Sequence, residues 1–343
     1  GYEPDIFATQ EELIAVARAV QEKDKILTVH MRAYSALSGT YPLRPFGTPH
    51  NLKAIEDMLN LARKTGVRLQ LSHLIFVGTR TWKTFDKALA MIDEARAEGL
   101  DVMFDTYAHN GGNSIINVFM PAWFLAKGPE AFEDKGALRR LRFEISLMTK
   151  LLGFGYDDIQ LTNGIVEELN QYNGLFMPEI AEKRGLSNFK NMVDIARQTE
   201  GAARVLNHSY STPEQVKIMM QHPACLFQTD TVVGHTGIDN PGGYGTFPRF
   251  LQYTRDGKLM PLEQLIHKMT GAAADRFRIA DRGCLQQGLA ADITVFDWQS
   301  VRDNTTKDNP SVAPTGIEYV IINGQIACAQ GRVDPSILPG QVL

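Results

Sequence analysis

The sequence predicts an α/β chain: part of a parallel (β/α)8 barrel of the TIM type, followed by a small β unit. Three observations carry this. Helical and strand patterns alternate at a steady pitch; five short apolar runs end on the ligand-type residues His30, His73, Asp105, His208 and Asp230; and from about Asp281 the pattern changes to short strands with turns. Residues at the carboxyl ends of parallel barrel strands converge on one rim, where barrel enzymes keep their chemistry.

Each element has a local reason. Thr9 with Glu12 forms a capping box, and Leu13, Val16, Ala17 and Val20 follow at helical spacing. The run Ile26-Leu27-Thr28-Val29 is a strand ending at His30. Thr48-Pro49 opens a second helix with proline expected at its first position, Leu52, Ile55, Leu59 and Ala62 on one face, and Gly66 as its stop. Val67, Leu69 and Leu71 alternate up to His73. A third helix carries Phe85, Leu89, Ile92 and Ala95 to Gly99, and a strand from Asp101 ends at Asp105.

The rhythm breaks at about 110–188, a region that holds the helical run Glu130–Phe143, the glycine-rich stretch Leu152–Tyr156 and no clear alternating strand. A long insertion of this kind reads as a lid subdomain. Alternation resumes with a helix over Asn191–Thr199, a strand to His208, a helix opened by Thr212-Pro213, a strand to Asp230 and a helix over Leu262–Met269. The glycine-rich Gly242–Arg249 matches no phosphate-binding fingerprint and is expected to form a loop over the pocket. Ala291–Phe296 is a strand, and Ile317–Ile322 with Gln325–Ala329 around Asn323-Gly324 is a type I′ hairpin. The expected domains are therefore a barrel over 1–280, with the insertion, and a small β-sandwich portion over 281–343. Five strand ends are fewer than the eight of a closed barrel, so the first barrel strands are expected to lie outside this chain.

Composition narrows the partners. With 343 residues, 44% hydrophobic, the chain can bury a large core. A net charge of −4 gives no reason to expect nucleic acid or an anionic membrane, and no apolar run is long enough to span one. Three scattered cysteines, Cys225, Cys284 and Cys328, form no CxxC pair and point to a reducing, cytoplasmic setting.

His30 and His73 end adjacent strands and are the expected metal pair, zinc being the commonest ion for such imidazole ligands; singly, each also reads as a plain rim histidine. Asp230 is the general-base candidate, with a turn aspartate as its plainer reading. His208 either contacts substrate or is a satisfied loop histidine, and Asp105 orients its neighbours. Tyr107 either donates to a developing oxyanion or is a packed aromatic, and His109 is a weaker site candidate. His50, His222 and His267 read as structural or solvated.

These residues resemble the amidohydrolase superfamily and, within it, the D-aminoacylase (N-acyl-D-amino-acid deacylase) family. The matching stretches are Thr28–Arg32, Ser72-His73-Leu74, Lys87–Asp105 with Tyr107, the Asp230 strand with Tyr244–Arg249, and the carboxy-terminal run from Asp281-Arg282-Gly283 through Ala291-Asp292 to Asn323-Gly324. The resemblance implies a distorted barrel, one or two zinc ions held in part by His30 and His73, Asp230 as general base and Tyr107 beside the tetrahedral intermediate. It implies amide C–N hydrolysis by metal-activated water on a small-molecule substrate, with Arg32, His109, His208, Tyr244 and Arg249 as substrate contacts. The family's His-x-His pair and bridging ligand have no counterpart here, so the chain resembles the later two-thirds of an amidohydrolase, and its metal site is expected to be incomplete unless a second chain supplies those strands and ligands.

Two departures concern the substrate. The family's Ser-His-Leu-Lys reads Ser72-His73-Leu74-Ile75 here, and its His-Pro-Arg reads Asn240-Pro241-Gly242. Losing that lysine and arginine removes two charge-assisted bonds, each worth roughly 1.5–3 kcal/mol. The expected substrate lacks a free α-carboxylate, or anchors it on Arg32, Arg80 or Arg249. The rival readings are a dihydroorotase- or hydantoinase-like cyclic amide hydrolase and a non-catalytic homologue.

Overall fold

The computed structural model describes residues 8–42, 47–231 and 236–341. In chain order the strands are β1 (Ile26–Val29), β2 (Arg68–Leu71), β3 (Val102–Thr106), β4 (Gly112–Ile115), β5 (Ile159–Asn163), β6 (Arg204–Asn207), β7 (Cys225–Phe227), β8 (Ile293–Phe296), β9 (Ile317–Ile322), β10 (Gln325–Ala329) and β11 (Arg332–Val333). Two compact units form, each from discontinuous sequence: Gly1–Val102, Asn110–Thr212 and Asp230–Asn240 make the first, and Met103–His109, Pro213–Thr229 and Pro241–Leu343 the second.

In the first unit the capping box forms as predicted: Glu12 N–H donates to Thr9 Oγ1 (3.2 Å) and Thr9 N–H to Glu12 Oε2 (2.7 Å), starting the helix Gln10–Glu22. β1 and β2 are parallel, with Val29 opposite Leu71, and the helix His50–Thr65 is the crossover such a pair requires. That helix buries Leu52, Ile55, Leu59 and Ala62 and stops at Gly66 in the left-handed region (φ 68°). Pro49 stands one residue earlier than expected, at the N-cap rather than the first helical position. Its carbonyl still accepts from Lys53 N–H (2.9 Å), so the missing N–H costs the helix nothing.

The insertion departs from expectation. β4, β5 and β6 make an antiparallel sheet in the order β4-β6-β5, so two strands lie where no alternation was read. β5 is buried on both faces, with polar Gln160, Thr162 and Asn163 among its residues, and β4 is the poor strand former Gly-Asn-Ser-Ile. Neither shows a two-residue period, which is why the sequence hides them. β6 was expected to be a parallel barrel strand; instead it is the central strand of this sheet. The sheet packs on its own core, which includes Phe124, Leu141, Leu161, Ile195 and Val205. Each such side chain contributes about 1.5–3 kcal/mol on burial.

In the second unit β3 and β7 are parallel, with Asp105 opposite Leu226. Asp105 therefore lies within β3 rather than after it. The segment Gly242–Arg249, expected as a loop, is the first half of the helix Pro241–Gly257. Gly245 serves close packing: a Cβ there would run into the Asp303 carboxylate. Proline at the first position suits a helix start, so composition misled where packing decided. The carboxy-terminal strands form an antiparallel sheet in the order β11-β10-β9-β8. The predicted hairpin is there, with Asn323 (φ 47°) and Gly324 (φ 78°) both left-handed as a type I′ turn demands. Among the described residues no helix is long and apolar enough to cross a membrane.

Candidate metal centre

The β1–β2 register fixes the site. Ser72 N–H donates to Val29 O (2.9 Å), carrying the pairing one residue past the strand end. The chain then turns at His73, whose φ of 36° is left-handed, a conformation a residue with a Cβ adopts at a cost of roughly 1–3 kcal/mol. The turn brings two imidazoles together: His30 Nδ1 and His73 Nε2 are 2.8 Å apart, with ring centroids 4.6 Å apart at 69°. His73 is buried and His30 half-buried. Burial, then the neighbouring His73 ring, pushes the His30 imidazole down to about 3, so it is neutral at physiological pH.

This donor set fits part of a zinc centre. Zinc binds neutral imidazole nitrogens at about 2.0–2.1 Å in a tetrahedral shell, which places two such nitrogens roughly 3.3 Å apart. The observed pair is about half an ångström tighter than that. Among the described residues no third His, Cys, Asp or Glu completes a metal-binding group with them. Asp230 belongs to the first unit and is itself left-handed (φ 48°), its carbonyl accepting from Asn240 Nδ2 (3.2 Å).

The other predicted residues fall in several places. Arg32 donates through Nη2 to Ala8 O (2.7 Å), and its guanidinium lies 5.7 Å from the Tyr41 ring centroid. His208 follows the antiparallel β6, not a barrel strand. It donates through Nε2 to Gln160 Oε1 (3.2 Å) and packs against the Phe176 ring at 5.2 Å. His50 and His222 are structural: the Nδ1 of each accepts a backbone N–H, from Ser38 (2.8 Å) and Ala224 (3.1 Å).

Tyr107, His109, Tyr244 and Arg249 lie in the second unit, Tyr107 fully buried and Tyr244 half-buried on the helix Pro241–Gly257. His109 and Arg249 meet on Asp303, whose side chain is 1% exposed. Its Oδ2 accepts from Arg249 Nε (2.6 Å) and His109 Nε2 (3.2 Å), and its Oδ1 from Thr305 N–H (2.8 Å). His109 Nδ1 in turn accepts from Thr246 Oγ1 (3.3 Å). Burial holds His109 below the usual histidine range, against the pull of Asp303. For Asp303, burial alone would raise the carboxyl; the bonds from His109 and Thr305 and the Arg249 charge outweigh it and bring it down to about 2.

Two contributors escaped the sequence reading. Tyr34 packs its ring against both His30 and His73 (4.9 Å between centroids in each case), yet it sits in a non-helical stretch with no periodicity to mark it. Asp303 lies in the polar run Asp303-Asn304-Thr305-Thr306, which reads as solvated loop; only its partners reveal it.

Comparison with known proteins agrees with this architecture. Residues 149–328 match the model of the amidohydrolase family. The chain is 29% identical over its whole length to an N-acyl-D-glutamate deacylase of Alcaligenes xylosoxydans xylosoxydans, covering 59% of that protein. It is 27% identical to a D-aminoacylase from the same organism, over 94% of this chain and 56% of the relative. A crystal structure of N-acyl-D-glutamate deacylase from Bordetella bronchiseptica, complexed with zinc and a phosphonate inhibitor, superposes with a TM-score of 0.74 at 28% identity, over 97% of this chain and 60% of that one. The chain belongs to the amidohydrolase family. It spans about 60% of the length of these relatives.

Proposed function

We propose that this chain carries part of the active site of a zinc-dependent amidohydrolase that cleaves an amide C–N bond, on a (β/α)8 barrel whose β1–β2 pair holds the metal ligands. The observation that supports this best is the 2.8 Å approach of His30 Nδ1 and His73 Nε2 at adjoining parallel strand ends, in a chain of this family. When bound, the ion supplies Lewis acidity to the scissile carbonyl and to the attacking water. His30 and His73 would hold it through their ring nitrogens. Asp230 takes the water's proton and returns it to the departing amine.

The substrate reading follows from Ile75 and Gly242, both buried and neither with a charged side chain to offer a carboxylate. Arg249 is already committed to Asp303, and Arg32 to a backbone carbonyl and the Tyr41 ring. We read the substrate as a small acylated amine or amide without a free α-carboxylate, or one whose carboxylate Arg80 receives. The relatives' names describe deacylases of N-acyl amino acids. A ligand-binding homologue without turnover is the competing reading, favoured by the incomplete ligand group among the described residues.

Metal analysis of the purified protein, with His73→Ala and Asp230→Asn, separates the two. Stoichiometric zinc that is lost in His73→Ala, and retained in Asp230→Asn while kcat falls about 10²–10⁴-fold, supports the enzyme. Zinc unaffected by His73→Ala removes the site. Turnover of N-acyl-D-amino acids over the matching carboxamides would overturn the substrate reading.

A further inference from the structure

We infer that Tyr34 is the positioning residue of the histidine pair: a single side chain that sets the separation and orientation of His30 and His73. The inference rests on the metal reading above and adds a determinant that lies outside the ligand set.

Tyr34 is 8% exposed and is tied to both strand ends at once. Its hydroxyl accepts from Met31 N–H (2.7 Å), the amide directly after His30, and donates to Ser72 O (3.2 Å), the carbonyl directly before His73. One oxygen thus joins the two backbones at the residues flanking the two imidazoles. Its own carbonyl accepts from Val77 N–H (2.9 Å), which pins the loop leaving His73 as well.

The ring does the rest. It stands edge-on to His30 (75°) and tilted to His73 (50°), with both centroids at 4.9 Å. With the 4.6 Å between the imidazoles, the three rings form a nearly equilateral triangle. Edge-to-face contacts at these distances are the favoured aromatic geometry, so each imidazole rests against a rigid wall on one side and the other imidazole on another. The left-handed backbone at His73 (φ 36°) needs such support, because a strained φ persists only where its surroundings over-determine it. Without the wedge, His73 can relax toward an ordinary φ and carry its Nε2 away from His30.

Groups that orient ligands typically alter metal affinity about 10–100-fold when removed. Two variants separate the hydroxyl from the ring: Tyr34→Phe keeps the wedge and drops both hydrogen bonds, and Tyr34→Leu removes the wedge. Three readouts are taken: zinc affinity by chelator competition, imidazole ¹⁵N shifts of His30 and His73 in metal-free protein, and hydrogen exchange at the Met31 amide. Urea unfolding monitors the fold.

The expected result is faster Met31 exchange in both variants, and in Tyr34→Leu a loss of the fixed ring tautomers with zinc affinity lowered about 10–100-fold. A tyrosine that only fills space would lower stability and leave tautomers and affinity untouched; that outcome overturns the inference. Should Tyr34→Leu fail to fold, Tyr34→Phe decides, and unchanged Met31 exchange with unchanged ¹⁵N shifts overturns it. If the wild-type protein binds no zinc, the metal reading falls, while the metal-free shifts still test Tyr34.

Discussion

Replacing Asp303 by asparagine tests the buried network of the second unit most directly. The carboxylate gathers Arg249, His109 and the Thr305 amide, and its side chain is 1% exposed. Its pKa falls from an ordinary 3.8 to about 2 on folding, despite the opposing effect of burial. At about 1.4 kcal/mol per pKa unit, the ionised form stabilises the fold by about 2–3 kcal/mol at neutral pH. Asparagine retains an acceptor for the Thr305 amide but leaves the Arg249 guanidinium without its counter-charge, so the loss is expected between this figure and the roughly 3–5 kcal/mol typical of a broken buried pair. The sign is clear: a carboxyl depressed in the folded state contributes fully above its unfolded pKa and loses that contribution as pH falls through about 2. The gap between wild type and Asp303→Asn, measured by urea unfolding, should be flat from pH 7 to 5 and shrink below pH 4, with the ionisation part about halved at pH 3. A gap under about 0.5 kcal/mol at pH 7, the size of an ordinary surface change, would refute the reasoning. So would a gap that ignores pH.

Other expectations follow from the same contacts. Gly245→Ala should lose about 1–3 kcal/mol by overpacking against the Asp303 carboxylate, and distinctly less in an Asp303→Ala background; equal costs in the two backgrounds would remove the contact from the explanation. Thr9→Ala should cost about 1 kcal/mol through loss of the amino-terminal capping box, read by thermal or urea unfolding, with no change in zinc content. A zinc effect of Thr9→Ala would show that the first helix is coupled to the histidine pair.

Much of the candidate centre was legible because its parts are local. His30 and His73 each close a strand, and strand ends in a parallel sheet share one edge, so their meeting follows from the pattern of apolar runs. Asp230 was legible only as a residue type after a strand; the structure describes its backbone turn and brings no third ligand type to the two imidazoles among the described residues. His208 shows the limit of the same logic. Its run looks like any other short strand, and only pairing partners reveal that it is antiparallel and belongs to the inserted sheet. The resemblance implies substrate contacts at Arg249 and His109 but does not mark Asp303, their shared partner, which lies far along the chain in an unmarked polar run.

The sequence by itself determined the elements with short-range causes: the capping box at Thr9, the glycine stop at Gly66, the Asn323-Gly324 hairpin and the strands that carry the two histidines. These depend on hydrogen bonds and backbone preferences spanning a few residues, which any window of the chain contains. Tertiary structure alone decided the helix at Gly242–Arg249, the antiparallel sheet of the insertion, the Asp303 network and the seating of Tyr34 between two imidazoles. Each of those depends on which distant groups come close enough to exclude water, and one-dimensional order does not carry that information.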